Sequence, residues 1–171
     1  AAVAEDIHRR VVELIRQKAR AMPGAPEALA FVRTQGAKVG LATTSDREII
    51  TAALEVLSFG AAFDFIQSAA ELPFRKPHPA VYLACAEGLC VSPLDCLALE
   101  DSVVGVISAK AARMKTVAVP ERRQAGDPRF CLADLVLPSL QSLDAAVWQR
   151  LALDPPLGHG GSGSPGAAGR T

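Results

Sequence analysis

Apolar and polar positions alternate along the chain in blocks of two kinds. Short, mostly apolar runs predict buried strands at 38–43, 63–68, 96–100, 115–119 and 135–137. Longer segments repeat apolar residues at helical spacing and predict helices at 1–22, 26–35, 47–58, from Pro79 onward, 103–113 and 141–151. This alternation predicts an α/β fold built on a Rossmann-like, doubly wound parallel sheet.

Turn and capping residues mark several of the boundaries. Gly36 suits the position just after the second helix, Ser45 or Asp46 can cap the third, and Pro120 ends the fourth strand. Residues 154–171, "DPPLGHGGSGSPGAAGRT", contain almost nothing to bury, so we predict a disordered tail rich in Gly, Pro and Ser there.

Composition narrows the class of protein. The formal net charge is zero and no basic stripe stands out, so nucleic acid is not an expected partner. No apolar stretch is long enough to cross a bilayer, and no secretory signal precedes the first helix. The four cysteines form no C-x-x-C pair, which favours reduced thiols in a cytoplasmic protein over zinc ligands or disulfides.

Polar residues follow two of the predicted strands, where ligands bind in doubly wound sheets. Thr43-Thr44-Ser45 leads into a helix and could hold a phosphate, but these residues taken alone favour a simple N-cap cluster. The adjacent acids Glu100 and Asp101 repel each other unless a cation compensates, and their oxygen atoms suit Mg²⁺. The alternative interpretation is one strand-end acid followed by one N-cap acid.

The third polar feature is Lys76 in the stretch "RKPHP". Its two prolines stiffen the loop, so the ammonium group is aimed and can neutralise a phosphate or an aspartate. A solvated loop lysine is the alternative. His78 in the same loop is interpreted as a surface residue or as a residue that supports the site from behind, not as a ligand. A hydroxyl, a cation and an acid pair at successive strand ends together predict one phosphoryl-transfer site. Receiver domains use similar groups, but their acids come first and their lysine last.

The chain resembles phosphatases of the haloacid dehalogenase superfamily. "GLATTSD" is similar to that family's second motif, "RKPHPAVY" to its third and "ALEDSVVGVISAKAARM" to its fourth. Arg113 stands where many relatives have glycine, and "SAKAARM" with "DPRFCLADLVLPSL" resembles the branch of hexitol and 2-deoxyglucose-6-phosphate phosphatases. The resemblance implies that Thr43, the Thr44 backbone N–H and Lys76 bind the phosphate. It also implies that Glu100 and Asp101 hold Mg²⁺.

One departure from the family is severe. The first motif, D-x-D-G-x-[TV] after the opening strand, is absent, so the aspartate nucleophile is not in this chain. The family's first-motif strand lies between the strands that end at residues 43 and 100, which predicts an incomplete core with a gap in its sheet. We therefore expect a piece of a longer enzyme: residues 1–22 as the last helix of a helical cap and 23–153 as a partial core domain.

The resemblance also implies a function. It predicts a Mg²⁺-dependent phosphatase that hydrolyses a sugar phosphate or polyol phosphate through a phospho-aspartate. One alternative is a phosphoryl transferase similar to β-phosphoglucomutase, and another is a catalytically inactive phosphate-binding fragment or pseudoenzyme. We predict that this chain alone is inactive.

Overall fold

Strands and helices alternate in the computed structural model, which describes residues 2–153. The tail predicted at 154–171 lies outside the described residues. The α-helices are α1 (Ala2–Lys18), α2 (Ala25–Thr34), α3 (Arg47–Leu57), α4 (Ala80–Gly88), α5 (Val103–Ala111) and α6 (Ala145–Leu153). The strands are β1 (Gly40–Thr43), β2 (Phe65–Ser68), β3 (Leu97–Glu100), β4 (Lys115–Ala118) and β5 (Leu135–Val136).

All strand pairs in the described part of the chain are parallel, which confirms the α/β prediction. β1 pairs with β2, with Thr43 opposite Ser68. β4 lies between β3 and β5, with Glu100 opposite Ala118. The carboxyl ends of paired strands therefore meet at one edge, where the predicted site residues lie.

Helices cover both faces of the three-stranded sheet. On one face, Val117 and Val119 of β4 and its extension pack with Ala28 of α2 and Leu151 of α6. On the other face, Ala118 packs against Val106 of α5 and its neighbours. Side chains of a strand alternate between the two faces, so this arrangement is the doubly wound layering that the sequence predicts.

Several boundaries differ from the predicted ones because of side-chain contacts. β1 begins at Gly40 rather than at residue 38, since the N–H of Val39 donates to the Asp64 carboxylate at 2.7 Å. The helix predicted at 141–151 is a 3₁₀ turn, Leu140–Ser142, followed by α6. The N–H of Val147 donates to Asp144 Oδ1 at 2.9 Å and caps the start of α6.

Two other helices end earlier than predicted. α1 ends at Lys18 instead of residue 22, before a turn in which the N–H of Ala25 donates to the carbonyl of Met22 at 3.0 Å. α5 ends at Ala111, and Arg113 follows it in the left-handed region with φ 64°. Gly36 has φ 72° after α2, as predicted for that position.

A gap separates the two groups of strands. β1 and β3 belong to separate sheets and do not pair with each other. A cavity of about 490 Å³ reaches their carboxyl ends at Thr43 and Asp101. A second cavity, of about 980 Å³, reaches their amino ends at Gly40 and Leu97. The two strands thus run in the same direction with open edges toward a shared space, as the predicted gap requires.

Helix α1 packs on α3 at the side of the smaller sheet. His8 lies between two carboxylates of the α3 N-terminus, 3.3 Å from Asp46 and 2.9 Å from Glu48. Val3 and Ile7 of α1 are exposed. Within residues 2–153, no helix combines the length and the apolar character that crossing a membrane requires.

Candidate functional site

Glu100, the last residue of β3, is buried and has partners for both carboxylate oxygens. Lys76 Nζ and the Tyr82 hydroxyl both donate to its Oε1. Ser102 Oγ donates to Oε2 at 3.1 Å. Gly105 forms the wall behind this carboxylate, because a Cβ there would lie 1.8 Å from Oε2. The side chain is therefore fixed from all sides.

Asp101 follows at the exposed rim of the same strand end. Partial loss of hydration, followed by repulsion from Glu100, raises the pKa of this carboxyl group. Lys76 opposes that shift, as the least of the causes. A cation placed beside Asp101 would favour its charged form and so oppose this shift.

The segment after β1 is held by contacts from several directions. The N–H of Ser45 donates to Thr43 Oγ1 at 3.2 Å, which folds the backbone into a tight turn. Ser68 Oγ donates to the carbonyl of Ser45 at 2.5 Å. Arg75 reaches the carbonyl of Thr44 at 3.4 Å. The turn therefore has a fixed position relative to β2 and to the lysine loop.

The lysine loop runs from residue 73 to 79 and includes a cis Lys76–Pro77 peptide bond. Ser108 Oγ of α5 donates to the carbonyl of His78 at 2.8 Å and anchors the loop. The ring of His78 is exposed and stacks on Phe74, with 4.5 Å between the ring centroids. The Lys76 side chain is only 10% exposed, so the ammonium points inward, away from solvent.

The predicted site residues come together in one place. The lining of the 490 Å³ cavity includes all five of them: Thr43, Thr44, Lys76, Glu100 and Asp101. Hydroxyl, ammonium and carboxylate groups thus face one space at the carboxyl edge of the strands. Such a set can bind an anion at the lysine and the threonines and a cation at the acids.

Sequence reasoning missed Tyr82. This α4 residue is 7% exposed and belongs to a buried apolar cluster. The hydrophobic pattern of the sequence therefore identifies it only as a core position. One signal could have found it. Tyrosine is a poor choice for a fully apolar site unless its hydroxyl has a partner.

The acids fit a hard divalent cation in part. Glu100 and Asp101 supply carboxylate oxygens, and burial and then repulsion from Glu100 raise the pKa of Asp101. However, the described residues contain no group of three or more Asp, Glu, His or Cys side chains arranged around a metal position. Asp101 is the better placed ligand, because Glu100 already binds Lys76 and Tyr82.

Comparison with known proteins identifies similar sequences and similar folds. The chain is 45% identical over 143 residues to hexitol phosphatase B of Escherichia coli K12, which covers 84% of the chain and 64% of that protein. CbbY of Rhodobacter sphaeroides, solved with phosphate, superposes with a TM-score of 0.74 at 28% identity, covering 81% of this chain and 65% of CbbY. β-Phosphoglucomutase of Clostridium difficile superposes with a TM-score of 0.71 at 30% identity, covering 82% and 60%.

The chain spans 64% of the length of the E. coli hexitol phosphatase that it matches. A sequence model of the haloacid dehalogenase-like hydrolases matches residues 1–113, which include the Thr43, Lys76 and Glu100–Asp101 segments. The sequence similarity, the fold and the clustering of these residues agree, and the chain belongs to the haloacid dehalogenase-like hydrolase family.

Proposed function

We propose that this chain forms the phosphate-binding part of a Mg²⁺-dependent phosphatase that acts on a sugar phosphate or a polyol phosphate. One observation carries the proposal: Thr43, Thr44, Lys76, Glu100 and Asp101 line a single cavity at the carboxyl edge of the strands. The similarity to a hexitol phosphatase supports the substrate class. Residues 1–22 would be the last helix of a cap and 23–153 a partial core.

Each residue has a role that follows from its position. The Thr43 hydroxyl accepts from the Ser45 N–H, so its own proton remains directed elsewhere and can donate to a phosphoryl oxygen. The Thr44 N–H adds a second donor, and Lys76 adds a positive charge. These groups stabilise the charge that spreads over the phosphoryl oxygens during transfer.

Asp101, with Glu100 beside it, would hold Mg²⁺ at the phosphate. A Mg²⁺ ion held there would supply positive charge to offset the negative charge of the phosphoryl oxygens. The exposed carboxylate of Asp101 is free to turn toward such an ion, whereas Glu100 keeps Lys76 in place. Of the two acids, Asp101 would therefore be the main metal ligand that this chain supplies.

The nucleophile would come from outside this chain. In the family it is an aspartate that ends the first-motif strand, and the space between the open edges of β1 and β3 is where that strand is expected. The cavities there have the backbone groups of two parallel strands on either side. A strand in that position would bring its last residue next to Lys76.

The test uses the protein extended upstream through the D-x-D-G segment, with hexitol and hexose 6-phosphates as substrates. We expect Mg²⁺-dependent release of phosphate, with losses of at least about a hundredfold in the Asp101→Asn and Thr43→Val variants. The 171-residue chain alone serves as the control, and it should bind inorganic phosphate without turnover. Activity that survives Asp101→Asn at full rate would contradict the proposal.

A mutase reaction is the second candidate, because β-phosphoglucomutase is among the structural neighbours. The same phosphate site serves both reactions. The extended protein would be incubated with β-glucose 1-phosphate and catalytic β-glucose 1,6-bisphosphate. Glucose 6-phosphate as the product would favour the mutase, and free phosphate would favour the phosphatase. Phosphate binding with neither product would leave a non-catalytic phosphate-binding protein.

A further inference from the structure

We propose that Tyr82 is a positioning residue that directs one N–H of the Lys76 ammonium toward the bound phosphate. This inference rests on the proposed phosphate site. Tyr82 lies in the first turn of α4. Its side chain packs in the apolar cluster of α4 and β3, and its hydroxyl contacts Glu100 at the end of β3. It does not line the 490 Å³ cavity, so it acts through Lys76 and Glu100 instead of touching phosphate.

Tyr82 contacts the ion pair with two different parts of its side chain. Its hydroxyl donates to Glu100 Oε1, the same oxygen that accepts from Lys76. Lys76 Nζ is 3.3 Å from that hydroxyl oxygen and 4.8 Å from the centroid of the ring. Glu100, Tyr82 and Lys76 therefore form a triangle of polar atoms, with the aromatic face beside the ammonium.

The contacts of this triangle determine the directions of the N–H donors of Lys76. A lysine has three N–H donors at tetrahedral angles. Within the described residues, Lys76 Nζ makes two hydrogen bonds, one to Glu100 Oε1 and one to the Tyr82 hydroxyl. The Tyr82 hydroxyl also contacts Glu100 Oε1, so the two acceptors lie on the same side of Nζ and share one N–H. This shared bond fixes the rotation of the ammonium about the Cε–Nζ bond, so the other two N–H donors have defined directions and one of them remains for a ligand. Lys76 also lines the cavity with Thr43 and Thr44, which makes the cavity the destination of that donor.

Phenylalanine in place of Tyr82 could not hold the ion pair in this way, because it lacks the hydroxyl. Without the hydroxyl, Glu100 Oε1 would keep only Lys76 as a donor, and the carboxylate and the ammonium would each lose one contact that holds them in place. The buried carboxylate would also lose a donor that offsets its desolvation. Packing of the ring would be unchanged, so the loss would appear in phosphate affinity and in the order of the ammonium.

The test compares the full chain with its Tyr82→Phe variant. The matched control is Thr116→Val, which removes another buried hydroxyl, one that bonds to the carbonyl of Met114 at 3.3 Å, away from the site. Calorimetric titration with inorganic phosphate in excess Mg²⁺ should show about threefold to tenfold weaker binding for Tyr82→Phe. The control should stay within about twofold, and thermal unfolding would be recorded for all proteins. Unchanged phosphate affinity in Tyr82→Phe would overturn the proposal.

A second readout does not depend on phosphate binding. Nitrogen-15 spectra of lysine side chains should show a protected Nζ signal, assigned to Lys76 by its loss in Lys76→Arg. We expect this signal to broaden or vanish in Tyr82→Phe and to persist in Thr116→Val. If the wild-type chain binds no phosphate, the proposed function loses its support, yet this signal still decides the arrangement: persistence in Tyr82→Phe would refute it.

Tyr82 is the only tyrosine in the sequence, which supplies a third measurement without altering the residue. Incorporation of 3-fluorotyrosine would give one fluorine signal from this site. The signal should shift on substitution of Lys76 by arginine and on addition of phosphate, and it should not shift in Thr116→Val. A fluorine signal unaffected by Lys76→Arg would count against contact between the two residues, even if Tyr82→Phe did not fold.

Discussion

The carboxylate of Glu100 fills the space in which a side chain at residue 105 would begin. A Cβ on Gly105 would lie 1.8 Å from Oε2 and 2.0 Å from Cδ of Glu100. Lys76, Tyr82 and Ser102 hold that carboxylate in place, so it has no alternative position that keeps its partners. The position of the Glu100 carboxylate therefore requires glycine at residue 105.

This relationship predicts the effect of Gly105→Ala. Alanine favours a helix by about 1 kcal/mol over glycine, but here it displaces a fixed carboxylate. Overpacking of this kind costs about 1–3 kcal/mol, so we expect a net loss of stability in urea unfolding and weaker phosphate binding. Gly126→Ala is the control, because nothing lies within 4 Å of a Cβ at residue 126. Equal effects at the two positions would refute the prediction.

The buried ion pair predicts a non-additive pair of substitutions. The Lys76 and Glu100 side chains are 10% and 6% exposed. Lys76→Met leaves Glu100 without its cation and should cost about 3–5 kcal/mol in the free energy of unfolding. The double variant with Glu100→Gln removes the stranded charge and should cost less than Lys76→Met alone. If the double variant loses the sum of both single losses, the two residues are not coupled.

An exposed ion pair provides the control for this cycle. Lys110 and Asp134 are 36% and 41% exposed and also form a salt bridge. Water screens such a pair, so Lys110→Met should change the free energy of unfolding by at most about 1 kcal/mol.

The open strand edges predict a pattern of amide hydrogen exchange. β4 has a paired strand on both sides, whereas β1 and β3 each have one. Amides of β4 should therefore exchange more slowly than those of β1 and β3, as nuclear magnetic resonance would measure residue by residue. A peptide that carries the missing first-motif strand should slow exchange in β1 and β3 and leave β4 unchanged. Equal exchange in all three strands of the unbound chain would contradict the gap.

The Asp64 carboxylate predicts a dependence of stability on pH. A hydrogen bond from the Val39 N–H, and then the Arg33 guanidinium, lower the pKa of Asp64 in the folded chain. The carboxylate is favoured more in the folded than in the unfolded state, so it stabilises the fold above the unfolded pKa of about 3.9. That contribution is lost as pH falls through the lower folded pKa.

The measurement is urea unfolding of the wild-type chain and Asp64→Asn over a range of pH. The variant should be less stable near neutral pH, and the difference should shrink as the solution becomes more acidic than about pH 4. Arg33→Gln removes only the second cause of the shift and should show a smaller effect. A difference that grows toward acid would have the wrong sign.

Much of this fold is readable from the sequence because parallel strands impose strong patterns. Thr43 and Glu100 stand where apolar runs end, and the carboxyl ends of parallel strands meet at one edge. The contacts that set strand boundaries are less predictable, since the bond from Val39 to Asp64 joins residues far apart in sequence. Tyr82 was missed for a related reason: the first turns of its helix are apolar, and no sequence pattern reports the direction of one hydroxyl group.

The Lys76–Tyr82–Glu100 triangle also connects the two separate sheets. Tyr82 belongs to α4, which packs on β1 and β2, while Glu100 belongs to β3 of the other sheet. The polar contacts between Tyr82 and Glu100 therefore hold the β1–β2 sheet and the β3–β4–β5 sheet together across the open gap. The apolar cluster of α4, β3 and α5 also joins the two halves, and the polar contacts add to it. A substitution that weakens these polar contacts should therefore reduce the cooperativity of unfolding as well as ligand binding.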